Sequence, residues 1–135
     1  MSERPTPALS IRQPWAWAII YAGKDIENRT WPTRYRGPVF IHAAKAFDTT
    51  PSDARACADE WARQAGIKPP AGFDLGGIIG RAEIIDCVTE SASPWFVGRF
   101  GFVLANARPL PFTPCRGALG LFQPFIPTEH LEAIR

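Results

Sequence analysis

The chain is poor in the residues from which metal sites and disulfide frameworks are built. Its 135 residues hold three cysteines, Cys57, Cys87 and Cys115, and two histidines, His42 and His130. No two cysteines form a C-x-x-C pair and neither histidine has a partner at ligand spacing, so neither a zinc site nor a disulfide scaffold is indicated. Long apolar runs are missing too, none reaching the roughly 18 residues that a membrane-crossing helix requires. Met1 is followed by polar Ser-Glu-Arg-Pro, which lacks the character of a secretory signal. These absences predict a reduced, cytoplasmic protein with no metal and no other cofactor. A dominant sign of charge is also absent. The net charge of +2 gives no strong field for long nucleic acid.

Lysine is scarce as well, with three against twelve arginines. A guanidinium is a planar fork suited to carboxylate, phosphate or base edges, so the skew fits such ligands. A GC-rich genome, which encodes Arg and Ala freely, is the simpler account. Proline and glycine are abundant, at 14 and 11 residues, and favour short elements joined by many turns. The length suits one domain with its own core. Residues 1–7, polar and proline-containing, read as a flexible leader to a single domain over 8–135.

Alternation and breakers divide the chain. Residues 8–12 read as a strand, and Pro14 as the first residue of an apolar helix that Gly23 ends in the left-handed conformation. Residues 24–30 follow as an extended segment, in which Glu27, Arg29 and Asp25 share one face and Ile26 points into the core. After a loop, residues 38–44 form a strand. The run Thr49-Thr50-Pro51-Ser52-Asp53 is a helix-start signal for a helix reaching about Gln64. Residues 78–88 form a long strand, with Gly76, Gly77 and Gly80 marking a bulge or a close approach of backbone. Residues 93–98 make a turn, 100–107 a strand ended by Arg108-Pro109-Leu110-Pro111, 115–122 a glycine-punctuated final strand, and 128–134 a last helical turn or two. Five to six short strands with two helices describe an α+β, β-dominated domain, a small mixed β-barrel with short flanking helices.

Charge and aromatics concentrate between Leu9 and Lys45. Lys24 beside Glu27 is suited to act as a base or to stabilise developing negative charge; the plainer alternative is an ion pair bracing a bend, worth about 0–1 kcal/mol. Arg29 is placed to pair with Glu27 or to meet a ligand. Arg12, Arg36 and Arg116 offer further forks for phosphate or base edges. Trp31, in a polar loop, is the favoured stacking platform; Trp95 stands in a turn and Trp15 among apolar neighbours. Lys45 is placed at a cleft mouth, and Glu83 as a third carboxylate. His42 and Cys115 read as structural.

The run Leu9-Ser10-x-x-Gln13-Pro14-Trp15-Ala16, then Gly23-Lys24-x-x-Glu27-x-Arg29-x-Trp31-x-Thr33, then Arg36-Gly37 and Ile41-x-Ala43-Ala44-Lys45, resembles the ASCH domain, the homology domain named after activating signal cointegrator. Trp95-Phe96-x-Gly98, Gly101-Phe102-Val103-Leu104 and Cys115-Arg116-Gly117-x-x-Gly120-Leu121 are similar to it too, so the likeness covers residues 8–123. It implies a PUA-like fold with a cleft lined by the Lys-x-x-Glu-x-Arg segment. Members are generally thought to bind RNA or nucleotides, and a few are hydrolases, among them an acetylcytidine amidohydrolase and a metal-independent ribonuclease. Carried onto this chain, the resemblance makes Lys24 and Glu27 the catalytic candidates. Arg29, Trp31, Arg12, Gln13, Arg36, Lys45, Trp95 and Arg116 become the ligand-binding ones. The implied partner is single-stranded RNA or a modified nucleoside or nucleotide; hydrolysis of such a ligand is the alternative activity, and a protein-binding adaptor the third. Two departures stand out. Gly23 abuts Lys24, where the family usually has one residue between them, and the amidohydrolases carry Thr where this chain has Glu27.

Overall fold

A computed structural model of the protein describes residues 5–49 and 54–134. The elements are β1 (Ala8–Gln13), α1 (Trp15–Tyr21), β2 (Ile26–Arg29), β3 (Gly37–Phe47), α2 (Ala54–Ala65), β4 (Gly77–Val88), β5 (Phe100–Pro114), β6 (Leu121–Phe122), a 3-10 turn (Thr128–His130) and α3 (Leu131–Ile134). The strands form one sheet in the order β2-β5-β4-β3-β1-β6. β1 runs parallel to β3, and the other pairings are antiparallel. The sheet curls into a half-barrel, the PUA-like α+β arrangement.

Strand alternation divides the core between the two faces of the sheet. Leu9 and Ile11 of β1, Val39 and Ile41 of β3, and Ala82 and Ile84 of β4 pack on the inner face with Phe102 and Leu104 of β5. Ala16, Ile19 and Ile20 of α1 close that face, while Trp17 and Ala18 turn to Ala58 and Ala62 of α2. Ala8, Phe40 and Ile78 face the other way, with Ile134 of α3 packed on them. Each period-2 strand thus buries both faces, which is why β1 and β3 read as nearly continuous apolar runs.

Irregularities bend the β4–β5 ribbon. Between the pairs Arg81↔Arg108 and Glu83↔Ala105, β5 carries one extra residue. Asn106 lies in this bulge with φ of +55°. Between Ile84↔Leu104 and Asp86↔Val103 the extra residue is Ile85 of β4. Such bulges increase local twist and curl a sheet. Gly80 supplies a close approach: a Cβ there would lie 2.4 Å from Ile20 Cδ1 and 2.7 Å from the Arg108 carbonyl oxygen. The glycine is what lets α1 rest on β4.

Three expectations change. β5 does not end at the Pro109-Leu110-Pro111 run but continues to Pro114. Its second neighbour, β2, pairs only Phe100–Val103, so the later prolines lie on a stretch with a free edge, where a missing N–H leaves no ladder bond unmade. The final strand shrinks to Leu121–Phe122, because 115–120 is a loop whose Gly120 has φ of +67°. Pro14 caps α1 from outside the helix rather than opening it. Most of the helix-start signal ahead of α2, Thr50 to Asp53, and residues 1–4 of the leader lie outside the described residues.

Candidate functional site

The two margins of the half-barrel create the site. β2 pairs with β5 alone, and β6 covers β1 only at Ala8 and Leu9. Arg29, the last residue of β2, crosses to β1 and donates from Nη2 to the Ser10 carbonyl oxygen at 2.9 Å. A cleft of about 1240 Å³ opens at this seam. It is walled by Ser10 to Arg12 and Trp15, by Lys24 and Glu27 to Trp31, by Ala44, Asp48 and Trp61, by the 94–99 loop and by Gly117 to Leu119.

Lys24 is set by the end of α1. Gly23 takes φ of +77°, a conformation open to glycine without a Cβ penalty, and the Lys24 N–H returns to the Ala18 carbonyl at 3.1 Å. Its ammonium is buried, 4% exposed, and donates to the Ile26 carbonyl oxygen. It lies 3.6 Å from Glu27 Oε1 and about 6 Å from the ring centres of Trp15 and Trp95. Loss of water pushes its pKa below the ordinary lysine value, and the Glu27 carboxylate opposes that fall. Glu27 Oε2 in turn accepts from Arg29, at 3.1 Å from Nε and 2.9 Å from Nη2. One buried carboxylate therefore serves two cations. Asp25, expected beside them, turns instead to accept a hydrogen bond from Ser93 Oγ at 2.7 Å.

Four tryptophans border the cleft. Trp15 and Trp61 stand 5.3 Å apart, and Trp61 and Trp95 5.1 Å. Trp15 Nε1 donates to Asp48 Oδ2 at 2.7 Å. The 94–99 loop is fastened to β2 by Asn28, whose Nδ2 donates to the Trp95 carbonyl and whose Oδ1 accepts from the Val97 N–H, both at 2.9 Å. Trp31 meets Phe102 edge-on at 5.1 Å, so the core fixes one edge of its ring while the residue lines the cleft.

Of the residues singled out from sequence, the cleft brings together Lys24, Glu27, Arg29, Trp31, Arg12 and Trp95. Gln13, Arg36, Lys45 and Arg116 are not among its walls. Gln13 is buried, its side-chain Oε1 accepting from the Trp17 N–H at 2.8 Å and its Nε2 donating to the Asp74 carbonyl at 3.1 Å. Both ends of its amide are spent on structure. Arg36 donates to the Thr33 and Tyr35 carbonyls. Lys45 is exposed, with its stem against Gly76, and Arg116 is exposed on the loop before β6. Glu83 accepts from Asn106 Nδ2 away from the cleft. Cys115 has its thiol pKa raised by burial, which suits a structural cysteine better than a nucleophile.

Trp15, Asn28, Asp48, Trp61 and Ser10 belong to the cleft without having been chosen. Ser10 shares a strand face with Arg12, so alternation contained a signal for it; Asn28, between Glu27 and Arg29, falls on the opposite face by the same rule and joins the site through its bonds to the 94–99 loop. Trp61, at helical spacing with Ala58, reads as core from the sequence. Among the described residues no three His, Cys, Asp or Glu side chains group as a metal would need, and no helix is long and apolar enough to cross a membrane.

A PUA-like half-barrel whose seam is bridged by an arginine, with a buried lysine–carboxylate pair behind it, defines the class of protein. Within that class the chain belongs to the ASCH domain family, whose model matches residues 9–98. It is 30% identical over 84 residues to the human protein Activating signal cointegrator 1, and 29% identical over 84 residues to the mouse protein of that name. Each match covers 61% of this chain and 14% of the relative's length.

Proposed function

We propose that the seam cleft binds a single-stranded RNA segment or a modified nucleoside or nucleotide. The observation that carries this is the meeting of aromatic rings with cations at one opening: Trp15, Trp31 and Trp95 beside Lys24, Arg29 and Arg12. Rings offer stacking that tolerates any base, and guanidinium forks offer phosphate or base-edge contacts. Two of the cations share Glu27, so the cleft is only moderately basic. With a net charge of +2, that favours one or a few nucleotides over long duplex, which is held by many phosphate contacts.

Calorimetry with short single-stranded RNAs and with nucleosides tests this. Saturable binding is expected, with Trp31→Ala weakening it by about 1–3 kcal/mol when measured well below that variant's own melting transition, which loss of the Phe102 contact lowers. The slope of affinity against salt should correspond to about one or two phosphates. Absence of saturable binding to any member of the panel would overturn the proposal.

Hydrolysis of the bound ligand is the second reading, favoured by one observation: Lys24 is buried 3.6 Å from Glu27, where loss of water lowers its pKa and suits it to proton transfer. It predicts product from acetylcytidine or RNA that disappears in Lys24→Ala with little change in binding. Binding stands first because Glu27 occupies the place at which the amidohydrolase members carry a hydroxyl.

A further inference from the structure

We propose that Ser10 and His42 form a nucleophilic pair at the base of the cleft, able to accept an acyl group from a bound ester or amide. Parallel pairing of β1 with β3 sets Ser10 opposite His42, and Ser10 Oγ lies 2.9 Å from His42 Nδ1. On the far side of the ring, Nε2 is 2.8 Å from the Cys115 carbonyl oxygen. A carbonyl only accepts, so that nitrogen carries the proton. Nδ1 of the neutral ring then presents its lone pair to the serine hydroxyl. Nucleophile, base and a third group that orients the base are the parts an activated hydroxyl requires. The imidazole is held for this role, being 1% exposed and meeting Phe122 edge-on at 5.8 Å.

Access distinguishes the pair from a buried structural hydrogen bond. Ser10 lines the cleft, and so does Gly117, which passes directly over the pair. A Cβ at position 117 would fall 2.9 Å from Ser10 Oγ and 2.8 Å from His42 Cε1. The glycine is required by space and not by φ, since any side chain there would collide with both members of the pair. The Arg29 guanidinium is hydrogen-bonded to the backbone carbonyl of Ser10 itself, so a cation stands on the same stretch of the cleft wall as the hydroxyl.

The step is balanced without a co-reactant other than water. Ser10 Oγ bonds to the acyl carbon as its proton passes to His42 Nδ1. The bond to the leaving alcohol or amine breaks, and that group takes the proton. Water then attacks the acyl-serine by the same route and restores the hydroxyl.

An alkyl fluorophosphonate tests the pair without a natural ligand: Oγ–P forms, P–F breaks, and fluoride and the proton leave. Intact-mass measurement should show one adduct on the wild-type protein, mapped by peptide sequencing to Ser10. Ser10→Ala should abolish the adduct, and Ser93→Ala should retain it. Gly117→Ala and His42→Gln, each taken only with a preserved melting transition, should slow labelling by roughly a hundredfold, the contribution of a positioned general base. No adduct on the folded wild-type protein, or an adduct mapped to another residue, would overturn the proposal whatever the variants do. The proposal does not rest on the RNA reading. Lost labelling with intact RNA binding sinks the pair alone, and labelling without RNA binding sinks the ligand assignment alone.

Discussion

Replacing Glu27 by Gln removes the single negative charge that two cations share while keeping the side chain's volume. Glu27 and Lys24 are 7% and 4% exposed, and the Arg29 side chain is 20% exposed. Removing one partner of a fully buried pair costs about 3–5 kcal/mol, because the other is left charged and unpaired. Two features reduce that here. Arg29 reaches water and keeps its bond to the Ser10 carbonyl, so its share approaches that of a surface pair. Lys24, whose pKa is already lowered by burial, is able to shed its proton. The expected loss is therefore about 2–3 kcal/mol, or a fall of roughly 6–12 °C in melting temperature for a domain of this size. The pH dependence identifies the cause. Without Glu27 the folded-state pKa of Lys24 drops further below its unfolded value of 10.5. Between those two values the unfolded chain holds a proton that the folded one lacks, so stability rises with pH across the window. Below the folded value both states are charged and the full cost of burying the ammonium is present. The deficit of Glu27→Gln relative to wild type should thus shrink as pH rises towards 10.5. Urea denaturation of wild type, Glu27→Gln, Lys24→Met and the double variant measures this. The double variant should lose about 1–2 kcal/mol less than the two single losses added together. A Glu27→Gln deficit below about 0.5 kcal/mol, or one unchanged between neutral pH and about pH 10, would refute the shared-carboxylate account.

Gln13→Ala should cost about 1–3 kcal/mol, since it strands the Trp17 N–H in a buried setting and removes the partner of the Asp74 carbonyl; a melting temperature equal to wild type would show that water replaces both bonds. Gly80→Ala should cost about 1–3 kcal/mol through overpacking against Ile20 and the Arg108 carbonyl. Adding Ile20→Val, which deletes the clashing Cδ1, should restore part of that loss in urea titrations. No loss in the single variant would mean that α1 does not rest on β4 as described.

The elements legible in the sequence are those whose signals are local. Gly23 and Gly66 end the helices before them, each with positive φ. Alternation across 24–30 sends Ile26 to the core and puts Glu27 in contact with Arg29. What misleads is context that no local pattern contains. Pro109 and Pro111 look like strand terminators, and would be in a strand paired on both sides. They are tolerated because β2 begins only at Ile26, opposite Val103, and leaves the later part of β5 with a free edge. The run 115–122 has strand-like spacing of glycines and apolar residues, yet β6 pairs over just two residues. The small mixed β-barrel read from five or six short strands is present as a curled half-barrel; its openness follows from the shortness of β2 and β6, and openness is what creates the cleft.

The site divides along the same line. Lys24, Glu27, Arg29 and Trp31 lie within eight consecutive residues, so chemistry and strand geometry together pick them out. The residue types alone do not tell which donors stay available. Gln13 and Arg36 carry good ligand-gripping groups, but the first has its amide consumed by Trp17 and Asp74 and the second donates to its own loop. Conversely, Ser10 and Gly117 have little chemical signature, and acquire one only when β3 brings His42 beside the first and the loop lays the second over both. Unoccupied hydrogen-bonding capacity next to open space is a property of the folded chain. Arg29 illustrates the point: its fork is shared between Glu27 and the Ser10 carbonyl, so a ligand phosphate must compete with a buried carboxylate for it. Arg12, exposed at the rim of the cleft, forms no ion pair with a carboxylate among the described residues, which makes it the better first contact for an incoming anion.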